Sequence, residues 1–195
     1  MHDYFIFEPL STPEFCKLGK CPEPFDRQTW RIAKGQPMGE HHPSRVRLDM
    51  DKRHAGLVVP DLVFNNSHLH ISTRRLKDLL ERESGASIEF LPVAIHDHKG
   101  RVANEDCYIA NVLGTRDCVD RSRSEFKESA LKPGQFSQLR KLQLDPERVD
   151  PEAKLFRIQD MPAVVIIRGD LRAALDKEGM TGAGYIAMGE KCFLV

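Results

Sequence analysis

The chain contains no uninterrupted apolar run near the roughly 20 residues of a membrane-spanning helix, which excludes a helical membrane anchor. Neither charge dominates: Lys+Arg and Asp+Glu number 29 each and the pI is about 7.1. A protein that grips the nucleic-acid backbone carries a basic surplus, so direct nucleic-acid binding is not expected. The opening MHDYFIFEPL has no basic start, long apolar core or small-residue cleavage site. A secretory signal is therefore not expected, and the cytoplasm is the expected compartment. Five cysteines, an odd and scattered number, include no paired C-x-x-C. They argue against a disulfide framework and a structural zinc knuckle. No HExxH, GxSxG, Walker or zinc-deaminase pattern is present either. The sequence therefore nominates no catalytic residue, no metal and no cofactor.

What is present is enough for a core: 41% of the 195 residues are apolar. A chain of this length is expected to form one domain over residues 1–195. DYFIFE (3–8) predicts a first strand ended by Pro9. Residues 10–46 are cut by Pro13, Pro22, Pro24, Pro37 and Pro43, which disfavour regular structure. That stretch is expected to wrap the core, with Phe15, Phe25 and Trp30 as anchors, making residues 1–60 a loop-rich flank to a core at 60–190. Arg45–Asp49 predicts a short strand, and 56–62 holds another apolar piece. In the centre, a short strand leads to Ser72 or Thr73 as helix cap. Leu76, Leu79, Leu80 and the stem of Glu83 then recur at helical spacing, and Gly85 stands where a left-handed C-terminal residue is expected. IEFLPVAIHD and DCYIANVLG predict two strands joined across 98–101. Further on, Cys118, Val119 and Phe126 are expected to point inward. Arg140–Leu144 and Leu155–Ile158 are expected as strands, and Met161–Val195 as strand, helix, Gly, strand and an apolar tail.

The last segment repeats the central one at an offset of 95 residues, Ile71 falling on Ile166. Leu76 then falls on Leu171, Leu80 on Leu175, Glu83 on Glu178, Phe90 on Tyr185 and Leu91 on Ile186. Any amphipathic strand–helix–strand unit gives some such matches, so chance similarity stands beside a true repeat. Two such units predict an α+β fold: a mixed or mainly antiparallel shared sheet with two principal helices and a loop-rich N-terminal arm.

Four constellations could carry chemistry. His68-x-His70 and His96-x-His98 each have the spacing of paired metal ligands on one strand face, but histidines near strand ends are ordinarily surface or turn residues. The cysteines read as buried, inert thiols. Gly182-Ala-Gly184 follows a helix and enters a strand, the reverse of a phosphate-binding loop. Asp145-Pro-Glu147-Arg-Val-Asp150-Pro-Glu152 places four carboxylates within eight residues, stiffened by two prolines. Its ordinary reading is a solvated turn, and its sharper one a preorganised acidic surface for a basic partner.

The central stretch resembles a known family. ISTRRLKDLLE, GASIEFLPVAIHDHKGR and DCYIANVLGTRDCVDRSRSEF look like the immunity proteins of bacterial polymorphic toxin systems first catalogued in myxobacterial loci, family eleven of the Imm series. Gly85, Phe90, Pro92 and Val93 match the family's first strand motif. Tyr108, Asn111, Val112 and Leu113 match the second, and Asp117, Cys118, Asp120 and Ser124 the segment after it. The resemblance covers about residues 60–190. It implies a non-enzymatic cytoplasmic protector that binds and neutralises a cognate toxin delivered between bacteria, by type VI or a related secretion route. Interfaces in such pairs are individual, so the resemblance transfers no binding residues. On charge alone, the expected partner-binding residues are Asp117, Asp120, Asp145, Glu147, Asp150 and Glu152. A small metal-dependent enzyme built on the two His pairs, or a general interaction scaffold, are the competing readings.

Overall fold

A computed structural model describes residues 2–195, with thirteen strands and three α-helices in them. In chain order these are β1 (Tyr4–Pro9), β2 (Lys17–Leu18), α1 (Thr29–Ala33), β3 (Val46–Asp49), β4 (Leu62–Asn65), β5 (Ile71–Thr73) and α2 (Arg74–Glu83). They continue with β6 (Ile88–His96), β7 (Val102–Val112), β8 (Glu125–Glu128), β9 (Phe136–Lys141), β10 (Leu155–Arg157), β11 (Val165–Arg168), α3 (Gly169–Lys177), β12 (Ala183–Ala187) and β13 (Lys191–Leu194). The fold is α+β, as the hydrophobic periodicities predict.

Three sheets form. The six-stranded one runs β2-β4-β5-β7-β6-β3, the four-stranded one β10-β11-β1-β12, and the three-stranded one β13-β9-β8. Pairing is antiparallel except between β2 and β4 and between β3 and β6. The repeated units therefore do not share a sheet. In the first, β5 and β6 flank β7 and both run antiparallel to it, with α2 as the connection. In the second, β11 and β12 flank β1 in the same way, with α3 as the connection. What the units share is the helical layer. Leu76, Leu79 and Leu80 of α2 and Leu171 and Leu175 of α3 join Ala110 and Val112 of β7 and Phe7, Val165 and Ile167 in one cluster. All five leucines are at most 2% exposed, and each such burial stabilises by roughly 1.5–3 kcal/mol.

Thr73 occupies the cap position of α2 but makes no side-chain cap bond. Its Oγ1 instead donates to Asp61 Oδ1 at 2.8 Å. The buried Asp61 also accepts from Arg75 Nη1 and from the N–H and hydroxyl of Thr181, at 2.9–3.0 Å, and so clasps α2 to the loop before β12. Gly182 in that loop has φ +77, and a Cβ on it would lie 2.2 Å from the Leu62 carbonyl oxygen. That contact, rather than a phosphate, explains the glycine. Gly85, at φ +62, closes α2 in the expected left-handed conformation.

The N-terminal residues are more than a flank. β1 is a central strand, and Cys16, Leu18, Cys21, Phe25, Ile32 and Met38 all belong to the core beneath the six-stranded sheet. Phe25 anchors the arm as expected, and Phe15 is half-buried. Trp30 does not: it is 45% exposed, with the cations of Arg31 and Lys34 5.0 and 4.9 Å from its ring. Its place is taken by Ile32 on the inward face of the same short helix. Two strand boundaries also differ. The strand expected at 140–144 runs Phe136–Lys141, and the apolar tail is itself a strand, β13. No helix among the described residues is long and apolar enough to cross a membrane.

Candidate functional site

The two acidic segments, far apart in sequence, lie side by side. Cys118 and Val119 are at most 2% exposed, Leu144 is 7% exposed, and Val119 pairs with Leu144. The Asp120 N–H donates to the Gln143 carbonyl, and the Asp145 N–H to the Cys118 carbonyl, both at 2.9 Å. Burial of three apolar side chains thus sets Asp117, Asp120 and Asp145 around one short pairing. Beyond it, Asp145-Pro-Glu and Asp150-Pro-Glu form two consecutive turns of the same design. Asp145 Oδ1 accepts the Glu147 N–H at 3.1 Å, and Asp150 Oδ1 accepts the Glu152 N–H at 3.0 Å. Each proline fixes φ just after the capping aspartate. The second turn is pinned from below by Arg168, which donates to the Pro151 carbonyl and grips Asp170 through two bonds.

The six acidic residues thus lie on two segments joined side by side, but they are not equivalent. Asp117 is ion-paired with Arg148, Asp150 with Arg116 at 3.0 Å, and Asp120 with Arg123 at 2.5 Å. Hydrogen bonds from Ser122 and Arg123 hold the Asp120 carboxyl down at about 2. Asp145, Glu147 and Glu152 have no ion-pair partner among the described residues. The uncommitted charge of the surface lies in the proline turns.

Beside these turns is a cleft of about 520 Å³ that sequence reasoning missed. Its walls are His2 and Asp3 before β1, Tyr4 and Phe5 of β1, Ala187 and Met188 at and just after the end of β12, Arg123, Gln143 and Leu144, and Pro146, Val149 and Pro151 of the acidic run. Tyr4, Val149 and Met188 are half-buried and pack on the core cluster of Ile6, Cys118, Leu144, Phe156 and Ile166. Burial raises the Tyr4 phenol, partly offset by Arg168. The relevant signal was Pro146, Val149 and Pro151, an apolar set interleaved with the acids.

The histidine pairs do not assemble a metal centre. His68 is exposed at φ +54, whereas His70 is buried, donates through Nε2 to the Phe7 carbonyl at 3.0 Å and stacks on the Phe7 ring. Burial, with Arg157 nearby, lowers His70 to about 4. His96 and His98 are half-buried, each with one unpartnered buried nitrogen. Among the described residues, no group of three His, Cys, Asp or Glu is placed to hold a metal ion, so neither pair finds a third ligand. All five thiols are free, and burial raises Cys107 and Cys118 to about 12, which keeps them protonated at neutral pH.

The residues behind the resemblance act as structural knots. Lys77 sits over the rings of Phe90 and Tyr108, at 5.1 and 5.4 Å, tying α2 to the six-stranded sheet. Asn111 donates to the Gln36 carbonyl and to Glu89, whose carboxylate accepts the N–H groups of Met38 and Gly39. Burial works against the Glu89 charge, but those donors outweigh it and the carboxyl is lowered. The Pro92 carbonyl lies 3.1 Å from His42 Nε2, and the Val112 carbonyl accepts from the buried Arg157. The Asn111, Glu89 and Pro92 contacts stitch the arm onto β6 and β7, and the Arg157 bond ties β10 to the end of β7. Ser124 donates to the Asp120 carbonyl and accepts the Gln143 N–H, closing the turn that joins the two acidic segments.

A search of curated proteins finds no match to the chain. A sequence model described as "Immunity protein family (Imm11)" matches residues 18–190 and so takes in the arm residues that Asn111, Glu89 and Pro92 hold. With that match over nearly its whole length, the chain belongs to the Immunity protein family (Imm11), and with the family comes the general role of an immunity protein, neutralising a toxin.

Proposed function

We propose that this chain is a single-domain cytoplasmic immunity protein that binds its cognate antibacterial toxin non-covalently and occludes it, without catalysis. The toxin is met on the surface carrying Asp117, Asp120, Asp145, Glu147, Asp150 and Glu152. The observation that carries this reading is the convergence of the two acidic segments through the Val119–Leu144 pairing, which builds a fixed, mainly acidic surface from separate parts of the chain. Such a surface complements a basic cleft of the kind a toxin acting on nucleic acid would carry, steering encounter and setting register. The buried thiols and dispersed histidines favour occlusion over chemistry.

The test is co-expression with the toxin encoded beside it, scoring rescue of growth. Rescue is expected from the chain itself and equally from H68A/H96A/H98A, which spares the buried His70. If the triple variant still folds and binds toxin but no longer protects, the non-catalytic reading fails. If the chain gives neither rescue nor binding, that toxin is not its partner.

A further inference from the structure

A second cavity, of about 160 Å³, lies where the end of β1, the turn from β4 to β5, the approach to β11 and the tail of β13 meet. None of the six acidic residues lines it, and neither does any lysine or arginine. We propose that it is a binding site for a small primary amine with a ring-sized apolar body, a role separate from toxin occlusion.

The lining selects both halves of that ligand. Ile6, Phe7, Phe64 and Val165 supply apolar wall. An apolar cavity of roughly 150 Å³ accepts a benzene ring. The polar half comes from two acceptors that lack donors. His70 is 8% exposed, and its Nε2 meets the Phe7 carbonyl at 3.0 Å. A carbonyl can only accept, so the proton sits on Nε2 and Nδ1 keeps a lone pair. That lone pair has no hydrogen-bond partner among the described residues. Burial, with Arg157 nearby, lowers the ring to about 4, so it stays neutral and accepting at pH 7. Glu8, half-buried in the same lining, has its carboxyl raised by burial and no ion-pair partner among the described residues. Buried acceptors of this kind cost stability until a donor satisfies them.

An ammonium carries three N–H donors and a positive charge, and so serves the imidazole and the carboxylate together. An alcohol offers a single donor, and an anion would face the Glu8 charge and the lone pair. A metal ion fits poorly, because among the described residues no group of three His, Cys, Asp or Glu is placed to hold one. The Arg157 charge lies outside the lining and is engaged by the Val112 and Pro162 carbonyls. The rim is also preorganised. The Asn65 side chain accepts the N–H groups of Ser67 and Leu69 and donates to the Leu69 carbonyl, fixing the turn that leads to His70. A rigid site loses less freedom when it is filled.

The experiment titrates the isotope-labelled full chain with benzylamine at pH 7, followed by NMR. Saturable shifts are expected at His70 and at the methyl groups of Ile6, Val164 and Val165. Toluene, which keeps the ring and lacks the amine, should bind at least about fivefold more weakly, and benzoate should not bind. E8Q should weaken benzylamine by about tenfold, and H70F, which removes the lone pair, by a similar factor. A163W, which fills the cavity, should abolish the shifts. Because Glu8 is half-buried and has no ion pair to lose, E8Q keeps the test decisive even where H70F or A163W misfolds. Absent shifts, shifts scattered away from the cavity, toluene binding as tightly as benzylamine, or an affinity unchanged in E8Q would overturn the proposal.

Discussion

The two strand–helix–strand units, β5–α2–β6 and β11–α3–β12, reach one topology by different routes. In the first, the central strand β7 follows β6 through a turn in which Asp97 accepts the N–H groups of Lys99 and Arg101, at 2.8 and 3.0 Å. Its assembly is local. In the second, the central strand is β1, brought from the other end of the chain. Closing so long a loop adds little to the entropy cost over a medium one, because that cost grows only logarithmically, but the unit has no middle until β1 docks. The difference extends to use. The first unit holds the knots formed by Phe90, Tyr108 and Asn111, while the second borders the acidic turns and the cleft. On the proposed function, the first half is scaffold and the second is contact surface.

The comparison breaks if the helices are not equivalent. Leu80 and Leu175 are each at most 1% exposed and face the same cluster. Leu80→Ala and Leu175→Ala should each destabilise by about 2–5 kcal/mol in urea unfolding. A loss below about 0.5 kcal/mol at both positions would place them outside the core and end the repeat argument. Because they share a cluster, the double variant is expected to depart from additivity.

His70 sharpens the comparison at the seam, since it leads into β5 of one unit and bonds Phe7 at the centre of the other. Its folded value of about 4 lies below the ordinary 6.5, chiefly through burial. The sign follows from proton uptake. Below pH 6.5 the unfolded chain protonates this ring and the folded chain does not, so stability is full above 6.5 and falls as pH drops toward 4. Between pH 6.5 and 5 the loss should be about 2 kcal/mol, measured by denaturant midpoints. His70→Phe should flatten that limb, and an unchanged slope in the variant would show that His70 does not link the halves.

Much of the first unit was legible because its signals are local: the helical spacing of Leu76, Leu79 and Leu80, the glycine after it, and two apolar runs around a turn. The repeat carried that reading to α3, but periodicity says nothing about which strand lies between β11 and β12. DYFIFE held a clue: Tyr4 and Ile6 pack on one cluster and Phe5 and Phe7 on another, so the strand is apolar on both faces, as a covered central strand is. β9 starts before the expected 140–144 strand because Phe136, Leu139 and Leu142 recur every third residue across irregular pairing, so simple alternation fails. Trp30 misled because size predicts burial only where no neighbour fits better. At the site, the acids were visible but their meeting was not, since it depends on the long-range pairing of Val119 with Leu144. Arg116, Arg123 and Arg148 stood in the same stretches, yet which carboxylate each would take is a property of the turns.

The smallest expected effect tests the division into scaffold and contact surface. Glu147 and Glu152 are exposed and unpaired among the described residues, whereas on α2 Glu81 is paired with Lys77 at 2.6 Å and Asp78 lies 3.6 Å from the same lysine. Reversing Glu147 and Glu152 to lysine should slow association with the toxin by about tenfold at low salt, with the difference shrinking at high salt, because rim charges act mainly on encounter. Reversing Asp117 and Asp150 should do less to association and more to stability, since it leaves Arg148 and Arg116 facing added positive charge. Reversing Asp78 and Glu81 should leave toxin binding unchanged while altering α2. Stopped-flow association at two salt concentrations separates the cases. Equal effects from α2 and from the proline turns would mean that only net charge matters, and the acidic turns would lose their claim as the meeting surface. No effect from Glu147 and Glu152 at low salt would move the interface elsewhere, and the exposed arm around Trp30 would then be the first surface to mutate.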